Sequence, residues 1–175
     1  REVCRLLEGM LCAVSHLHEN DVIHRDLKLE NVMLNERGDV VLIDFGYCTM
    51  QREGGPLLLT HPGSLEYAPP EFVCGVPYEG RPADLWSMGV VLYLLLYDQY
   101  PFLSDSESAE ATGELIRLEK LRLPSERDGL DPAPVASAWE QVLLRLLAKE
   151  PRLRGDVASL KTSLEDLNKK LSLVT

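Results

Sequence analysis

One segment limits what this chain can become. Ala83 to Leu96, ADLWSMGVVLYLLL, is apolar nearly all round. A helix with so little polar face has to be buried. Core packing outweighs a membrane or cofactor role for its Trp86 and Tyr93 and for the neighbouring Tyr97. The most apolar run, Gly89 to Tyr97, is too short to span a bilayer. Before it, Tyr78-Glu79-Gly80-Arg81-Pro82 reads as a turn, and Pro101-Phe102 ends the unit after it.

Amphipathic segments flank this buried one. From Arg1 to Asn20, apolar residues from Val3 to Leu17 recur at spacings of three and four, and His18 continues the stripe. That period predicts a helix, slightly weakened by Gly9. No ligand cluster surrounds His16 and His18, which argues against a metal role for them. Leu115, Leu118 and Leu121 predict a helix over Glu114 to Leu121. Trp139, Val142, Leu143, Leu146 and Leu147 predict another over Ala136 to Ala148. Asp156 to Leu171 carries Val157, Leu160, Leu164, Leu167 and Leu171 as a stripe of about two heptads. A coiled coil needs more, so the stripe is expected to pack on the body, with a partner-binding or dimer helix as the alternative. Ser104 to Gly113 is acidic and serine-rich and reads as a solvated loop, or alternatively an acidic docking patch. Pro124 to Pro134 reads as a second loop.

The chemistry-bearing residues gather between Val22 and Gly46. Val32-Met33-Leu34 and Val40-Val41-Leu42-Ile43 read as two short strands joined by the turn Asn35 to Asp39. A hairpin brings its outer ends together. Here those ends carry Asp26, Lys28 and Asn31 on one side and Asp44 on the other. Two carboxylates, an amide and an ammonium suit Mg²⁺-phosphate chemistry, because magnesium takes hard oxygen ligands from one or two carboxylates plus substrate phosphates.

Composition narrows the partners. The 175 residues are 45% hydrophobic and 26% charged, a globular balance sufficient for one domain core. A formal net charge of −10 argues against non-specific nucleic-acid binding and suits basic partners or a solvated acidic surface. Cys4, Cys12, Cys48 and Cys74 show neither CxxC nor zinc spacing and read as reduced thiols of an intracellular protein. No signal peptide is visible. A cytoplasmic protein, or a nuclear one, without nucleic-acid or membrane partners, is expected.

HRDLKLEN, from His24 to Asn31, followed 18 residues after its aspartate by the DFG of Asp44 to Gly46 (44 − 26), closely resembles the catalytic and magnesium-binding loops of eukaryotic protein kinases. The chain is similar to the serine/threonine type, in the calmodulin-dependent and AMP-activated group. The resemblance implies a mainly α-helical α+β fold: the large C-terminal lobe of a protein kinase, with a small β-hairpin. It implies transfer of the ATP γ-phosphoryl to serine or threonine hydroxyls of a protein substrate, with ATP and Mg²⁺ as cofactors.

Residue roles follow from the same resemblance. Asp26 orients or accepts the hydroxyl proton, and Lys28 offsets charge on the transferring phosphoryl. Asn31 and Asp44 hold magnesium, and Met33 forms the floor under the adenine. Glu30 lines the substrate groove, and Glu66 stands near it. His24 and Phe45 pack to hold the loops. Tyr47 to Ser64 resembles the activation segment. Thr60 stands where a phosphothreonine would add about −1.5 to −2 charge and dock on Arg25, the alternative being an unmodified loop residue. Ser64 is expected to hydrogen-bond Asp26 and Lys28. Ser64 to Glu71, SLEYAPPE, departs mildly from the family's ending by placing Pro69 at its alanine. Glu71 should be buried against Arg154, since a lone buried carboxylate is costly. Glu150 stands where the family often has aspartate. Asp84 is expected to cap its helix and tie down the catalytic-loop backbone.

The family's small lobe is expected to be missing. No G-x-G occurs, and Lys28 is the first lysine. The resemblance therefore covers residues 1–155 as a partial kinase domain, with 156–175 as a closing amphipathic helix. The missing lobe, or a partner supplying it, would complete the ATP site and cover apolar surface at Met33 and Phe45. The isolated chain is expected to be weak or inactive. The alternative is a truncated kinase acting as a non-catalytic protein-binding module. A metal-dependent hydrolase using Asp26 and Asp44 would leave Lys28 and Asp84 without roles.

Overall fold

A computed structural model describes residues 2–104, 108–121, 123 and 134–174, with backbone alone for 134–137 and 170–174. Helices dominate, joined by two small antiparallel sheets. In order they are α1 (Glu2–Glu19), β1 (Val22–Ile23), β2 (Val32–Leu34), β3 (Val40–Leu42), β4 (Thr49–Met50), α2 (Pro70–Val73), α3 (Gly80–Tyr97), α4 (Ala109–Leu118), α5 (Pro134–Leu146) and α6 (Val157–Val174).

The apolar segment is the core of α3, where twelve residues from Gly80 to Tyr93 are buried. Trp86, Met88 and Val90 are wholly inaccessible. Helices α1 and α5 pack on it, and α6 closes over α1 and α5. The α6 stripe Val157, Leu160, Leu164 and Leu167 is buried in this body; the expected Leu171 position lies outside the described side chains. Trp139, Val142, Leu143, Leu146 and Leu147 form the buried face of α5 and the residue after it.

Two helix starts differ from expectation. The turn expected at 78–82 ends in helix, because α3 begins at Gly80. Pro82 falls in the first turn, where its missing N–H costs nothing. Asp84 therefore sits one turn inside α3 and does not cap it; the residue at that boundary is Glu79. The loop expected over Ser104 to Gly113 is helical from Ala109. The Ser108 hydroxyl accepts the Ala111 N–H there, and Thr112 and Gly113 are buried. Of that stretch, 105–107 lie outside the described residues, as do 124–133 of the second expected loop. Helix α4 ends at Leu118, although Leu121 is still buried.

The hairpin forms as its spacing predicts, with Val32 paired to Leu42 and Leu34 to Val40. Asn35 closes it by accepting the Arg37 and Asp39 N–H groups, both at 2.9 Å. A second pairing, β1 with β4, ties Val22 to Met50 and Ile23 to Thr49. Gly9 explains the weak spot in α1: a Cβ there would meet Val40 Cγ2 at 2.6 Å, so the glycine lets β3 lie on the helix. No helix among the described residues is long and apolar enough to cross a membrane. The four cysteines are free thiols.

Candidate active site

The loop between β1 and β2 is held from behind by α3. Asp84 accepts the backbone N–H groups of His24 and Arg25, each at 3.0 Å. Its Oδ2 also meets His18 Nε2 at 2.9 Å. Asp84 thus ties the loop down as expected, and its depth inside α3 serves that purpose. Held this way, Arg25 adopts φ +65°, sparsely populated for a residue with a side chain. His24 is fully buried, tilted against Phe45 with ring centroids 5.2 Å apart. Its Nδ1 accepts the Asp26 N–H, which leaves Nε2 as the ring's N–H, buried and without a partner.

Asp26 is the centre of the polar set. Its carboxylate is buried and takes the Lys28 ammonium at 2.9 Å and the Asn31 amide at 3.2 Å. Asn31 Nδ2 also donates to the Asp26 carbonyl at 2.9 Å. The hydrogen bond to Asp26, with the nearby Asp26, Glu30 and Asp44 charges, raises the Lys28 pKa above the usual lysine value. These partners favour the charged ammonium over the neutral amine. Asp44 follows β3 at φ +62°, and its Oδ1 accepts the Gly46 N–H at 3.3 Å.

The donor set fits magnesium. Both Asn31 amide bonds run through Nδ2, which leaves Oδ1 free as a neutral hard oxygen. The second Asp44 oxygen makes no hydrogen bond among the described residues. No cluster of three or more His, Cys, Asp or Glu side chains able to hold a metal occurs among the described residues. One carboxylate and one amide without a protein cage suit an ion that takes its other ligands from water and phosphate.

The remaining expected residues lie on the loop before the hairpin, on the hairpin and on the segment from Phe45 to Tyr67. Met33 and Phe45 are 50% and 49% exposed, so the apolar surface expected there is present. Leu34, Val41, Ile43 and Tyr47 widen it. Glu30 is exposed and accepts the Tyr67 hydroxyl at 3.2 Å. Tyr67 is edge-on to Tyr100, and its hydroxyl lies 3.5 Å from that of Tyr100. Burial, with this contact, pushes the Tyr67 pKa far up, so it acts as a neutral donor. Glu66 is half-buried and makes no hydrogen bond or ion pair among the described residues. Thr60 is exposed, and its carbonyl accepts the Tyr78 hydroxyl at 2.8 Å. Arg25 Nε turns to the Tyr47 carbonyl at 2.6 Å.

Ser64 differs from expectation: its hydroxyl bonds neither Asp26 nor Lys28, and the Gly63 backbone before it lies close to the Asp26 carboxylate. A Cβ at Gly63 would stand 2.8 Å from Asp26 Oδ1 and 2.9 Å from the Arg25 carbonyl. Glu71 and Arg154 pair as expected, with two bonds of 2.7 Å in the buried interior. Sequence reasoning missed three contributors: His18 behind Asp84, Gly63 against Asp26, and the Tyr67–Tyr100 pair beside Glu30. Only the adjacency of Gly63 and Ser64 carried a signal, since a glycine inside a loop rich in turn residues can mark close backbone approach.

Comparison with protein families matches residues 1–163 to the protein kinase domain. The probable serine/threonine-protein kinase MARK-B of Dictyostelium discoideum is 36% identical over 163 residues, 93% of this chain and 22% of its own length. Serine/threonine-protein kinase kin-29 of Caenorhabditis elegans is 48% identical over 94 residues, 54% of this chain and 11% of its own. Human NUAK family SNF1-like kinase 2 is 43% identical over 102 residues, 58% of this chain and 16% of its own. The chain spans about a tenth to a fifth of the length of these relatives.

Proposed function

The chain belongs to the protein kinase domain family, and from that premise we propose that it supplies the catalytic and magnesium-binding face of a serine/threonine protein kinase. One observation carries the reading. A buried aspartate, a lysine two residues on and an asparagine five residues on are joined by bonds of 2.9 and 3.2 Å, on a loop tied to the central helix. Surface salt bridges do not need such a clamp.

In this reading Asp26 orients a substrate serine or threonine hydroxyl and takes its proton as the oxygen bonds the γ-phosphorus. The bond from that phosphorus to the bridging oxygen breaks, and ADP leaves. ATP supplies the phosphoryl. Asn31 Oδ1 and the Asp44 carboxylate would hold Mg²⁺, which would supply charge neutralisation at the phosphate oxygens. Lys28 moves from Asp26 toward the transferring group and offsets its charge. Met33 lies under the adenine. Glu30, Glu66 and Ser64 face the protein substrate, with Glu30 drawing a basic residue. A phosphate on Thr60 would compete for Arg25 and draw it away from the Tyr47 carbonyl.

A second reading rests on the apolar hairpin face. Half-exposed Met33 and Phe45 fit a surface covered by a small lobe or by a partner supplying one. Where no such cover is bound, this face would serve as a binding surface with little phosphotransfer. The test is transfer of labelled phosphate from Mg-ATP to a serine peptide by the natural protein. Asp26→Asn is expected to lower the rate by about 10²–10⁴-fold with unchanged folding. Equal rates for Asp26→Asn and wild type would overturn the catalytic reading. Unaided transfer by the 175-residue chain, abolished by Asp26→Asn, would overturn the binding-module reading.

A further inference from the structure

His61 sits between Thr60 and Gly63, at the edge of the candidate active site. Its ring leans on Phe72 of α2, with centroids 5.2 Å apart. Phe72 in turn meets Tyr78 edge-on, and the Tyr78 hydroxyl is spent on the Thr60 carbonyl. The Nδ1 of His61 is buried without a partner, and the ring makes no hydrogen bond among the described residues.

The other ring nitrogen borders Asp26. A Cβ at Gly63 would stand 3.1 Å from His61 Nε2 and 2.8 Å from Asp26 Oδ1. Glycine leaves that space open to both atoms. The two oxygens of Asp26 also differ. Lys28 and Asn31 both bond Oδ2, at 2.9 and 3.2 Å. Oδ1 takes no hydrogen bond among the described residues, so it is the oxygen left to receive a substrate hydroxyl.

Charged groups face His61 from three elements: Asp26 and Arg25 on the loop, Asp84 on α3 and Glu71 on α2. Burial holds the His61 pKa below its ordinary 6.5, although the three carboxylates act the other way. Tyr78 stays neutral, its own pKa pushed up to about 12 by burial. Protonation would put an N–H on both nitrogens of His61, and the one at Nδ1 would be buried with no acceptor.

We infer that His61 is a positioning residue for Asp26: neutral, it packs on Phe72 and leaves Oδ1 to the substrate hydroxyl, and protonated, it turns its Nε2–H to Oδ1 and blocks it. The inference rests on the reading of Asp26 as the catalytic carboxylate. The neutral ring stabilises the closed segment fully above pH 6.5, and that contribution is lost as pH falls through the depressed folded value. Phosphotransfer then declines on the acid side as His61 takes up its proton.

The test reads His61 itself first. Exchange of its C2–H for deuterium, followed by mass spectrometry across pH on the natural protein, gives its titration midpoint without turnover. The midpoint is expected below 6.5, and lower still in Asp26→Asn, because the Asp26 charge supports the imidazolium. Transfer from Mg-ATP to a serine peptide is then followed from about pH 5.5 to about pH 8, across the histidine range. His61→Phe keeps a ring against Phe72 and cannot titrate, so the ratio of rates at the two ends is expected to shrink by about threefold or more. His61→Asn gives the same comparison if His61→Phe fails to fold. A midpoint unmoved by Asp26→Asn, or a pH dependence that both His61 variants leave unchanged, would overturn the inference while transfer lost in Asp26→Asn keeps the catalytic reading. A moved midpoint with equal transfer by Asp26→Asn and wild type would instead remove the catalytic reading, and the inference with its premise.

Discussion

At the scale of single residues, Gly63 and Lys149 show how tightly local chemistry is set. Gly63 lets the segment before Ser64 pass against Asp26, where a Cβ would sit 2.8 Å from the carboxylate. Gly63→Ala is expected to displace Asp26 and, since misplacing a reacting group by about 1 Å can cost about 10²-fold, to lower phosphotransfer on that order. Because the same Cβ would also meet the Arg25 backbone carbonyl at 2.9 Å, the melting temperature is expected to fall as well. Lys149 is the reverse case, a cation pressed into apolar surroundings. Its ammonium lies 3.8 Å from the Phe102 ring centroid and 5.2 Å from that of Trp86, and it donates to the Ile116 carbonyl. Burial, helped by the Arg154 charge, brings its pKa down to about 8 from 10.5. Between these values the unfolded chain holds a proton that the folded chain has lost, so stability rises with pH across that window. Lys149→Met should flatten this rise in urea unfolding measured from pH 7.5 to 10.5.

At the scale of elements, the ion pair of Glu71 and Arg154 joins the end of the activation-like segment to the turn before α6. Arg154 is wholly inaccessible and also bonds the Ala148 and Pro82 carbonyls at 2.9 and 3.0 Å. Removing one partner strands the other charge, so Arg154→Ala is expected to cost about 3–5 kcal/mol in urea unfolding. Exchanging both for apolar residues of similar volume should cost much less. Helix α6 is held by its stripe. Leu164, 1% exposed, should cost about 2–5 kcal/mol when cut to alanine. The period of that stripe was legible because a helix facing a flat body repeats at three and four. The start of α4 was not, because Ser108 caps it only where the acidic residues lie on a helix face rather than in a loop.

At the scale of the whole molecule, two surfaces differ in kind. Twelve residues of α3 from Gly80 to Tyr93 are buried, whereas the hairpin leaves Met33, Phe45 and their neighbours half exposed. Substituting such a half-exposed residue removes little packing. Met33→Glu should change stability by no more than about 0.5 kcal/mol, yet reduce Mg-ATP affinity at least tenfold if the face lies under the adenine. Calorimetry on the natural protein measures both. Unchanged affinity would remove Met33 from the nucleotide site.

The sequence by itself determined the parts whose physics is local. The buried helix follows from its continuous apolar run, α1 and α6 from their period, the hairpin from Asn35 to Asp39, and the joint presence of Asp26, Lys28, Asn31 and Asp44 from their order. The Glu71–Arg154 pair was anticipated through the family resemblance, which supplies the late arginine that a buried carboxylate needs. Only the tertiary structure decided how those parts are aimed. It placed Asp84 inside α3 rather than at its cap, set His18 behind it, put Gly63 instead of Ser64 against Asp26, and brought His61 beside the same carboxylate. None of these is written in spacing or period. Each depends on which backbone comes within about 3 Å of which side chain, a distance that only the packed molecule defines.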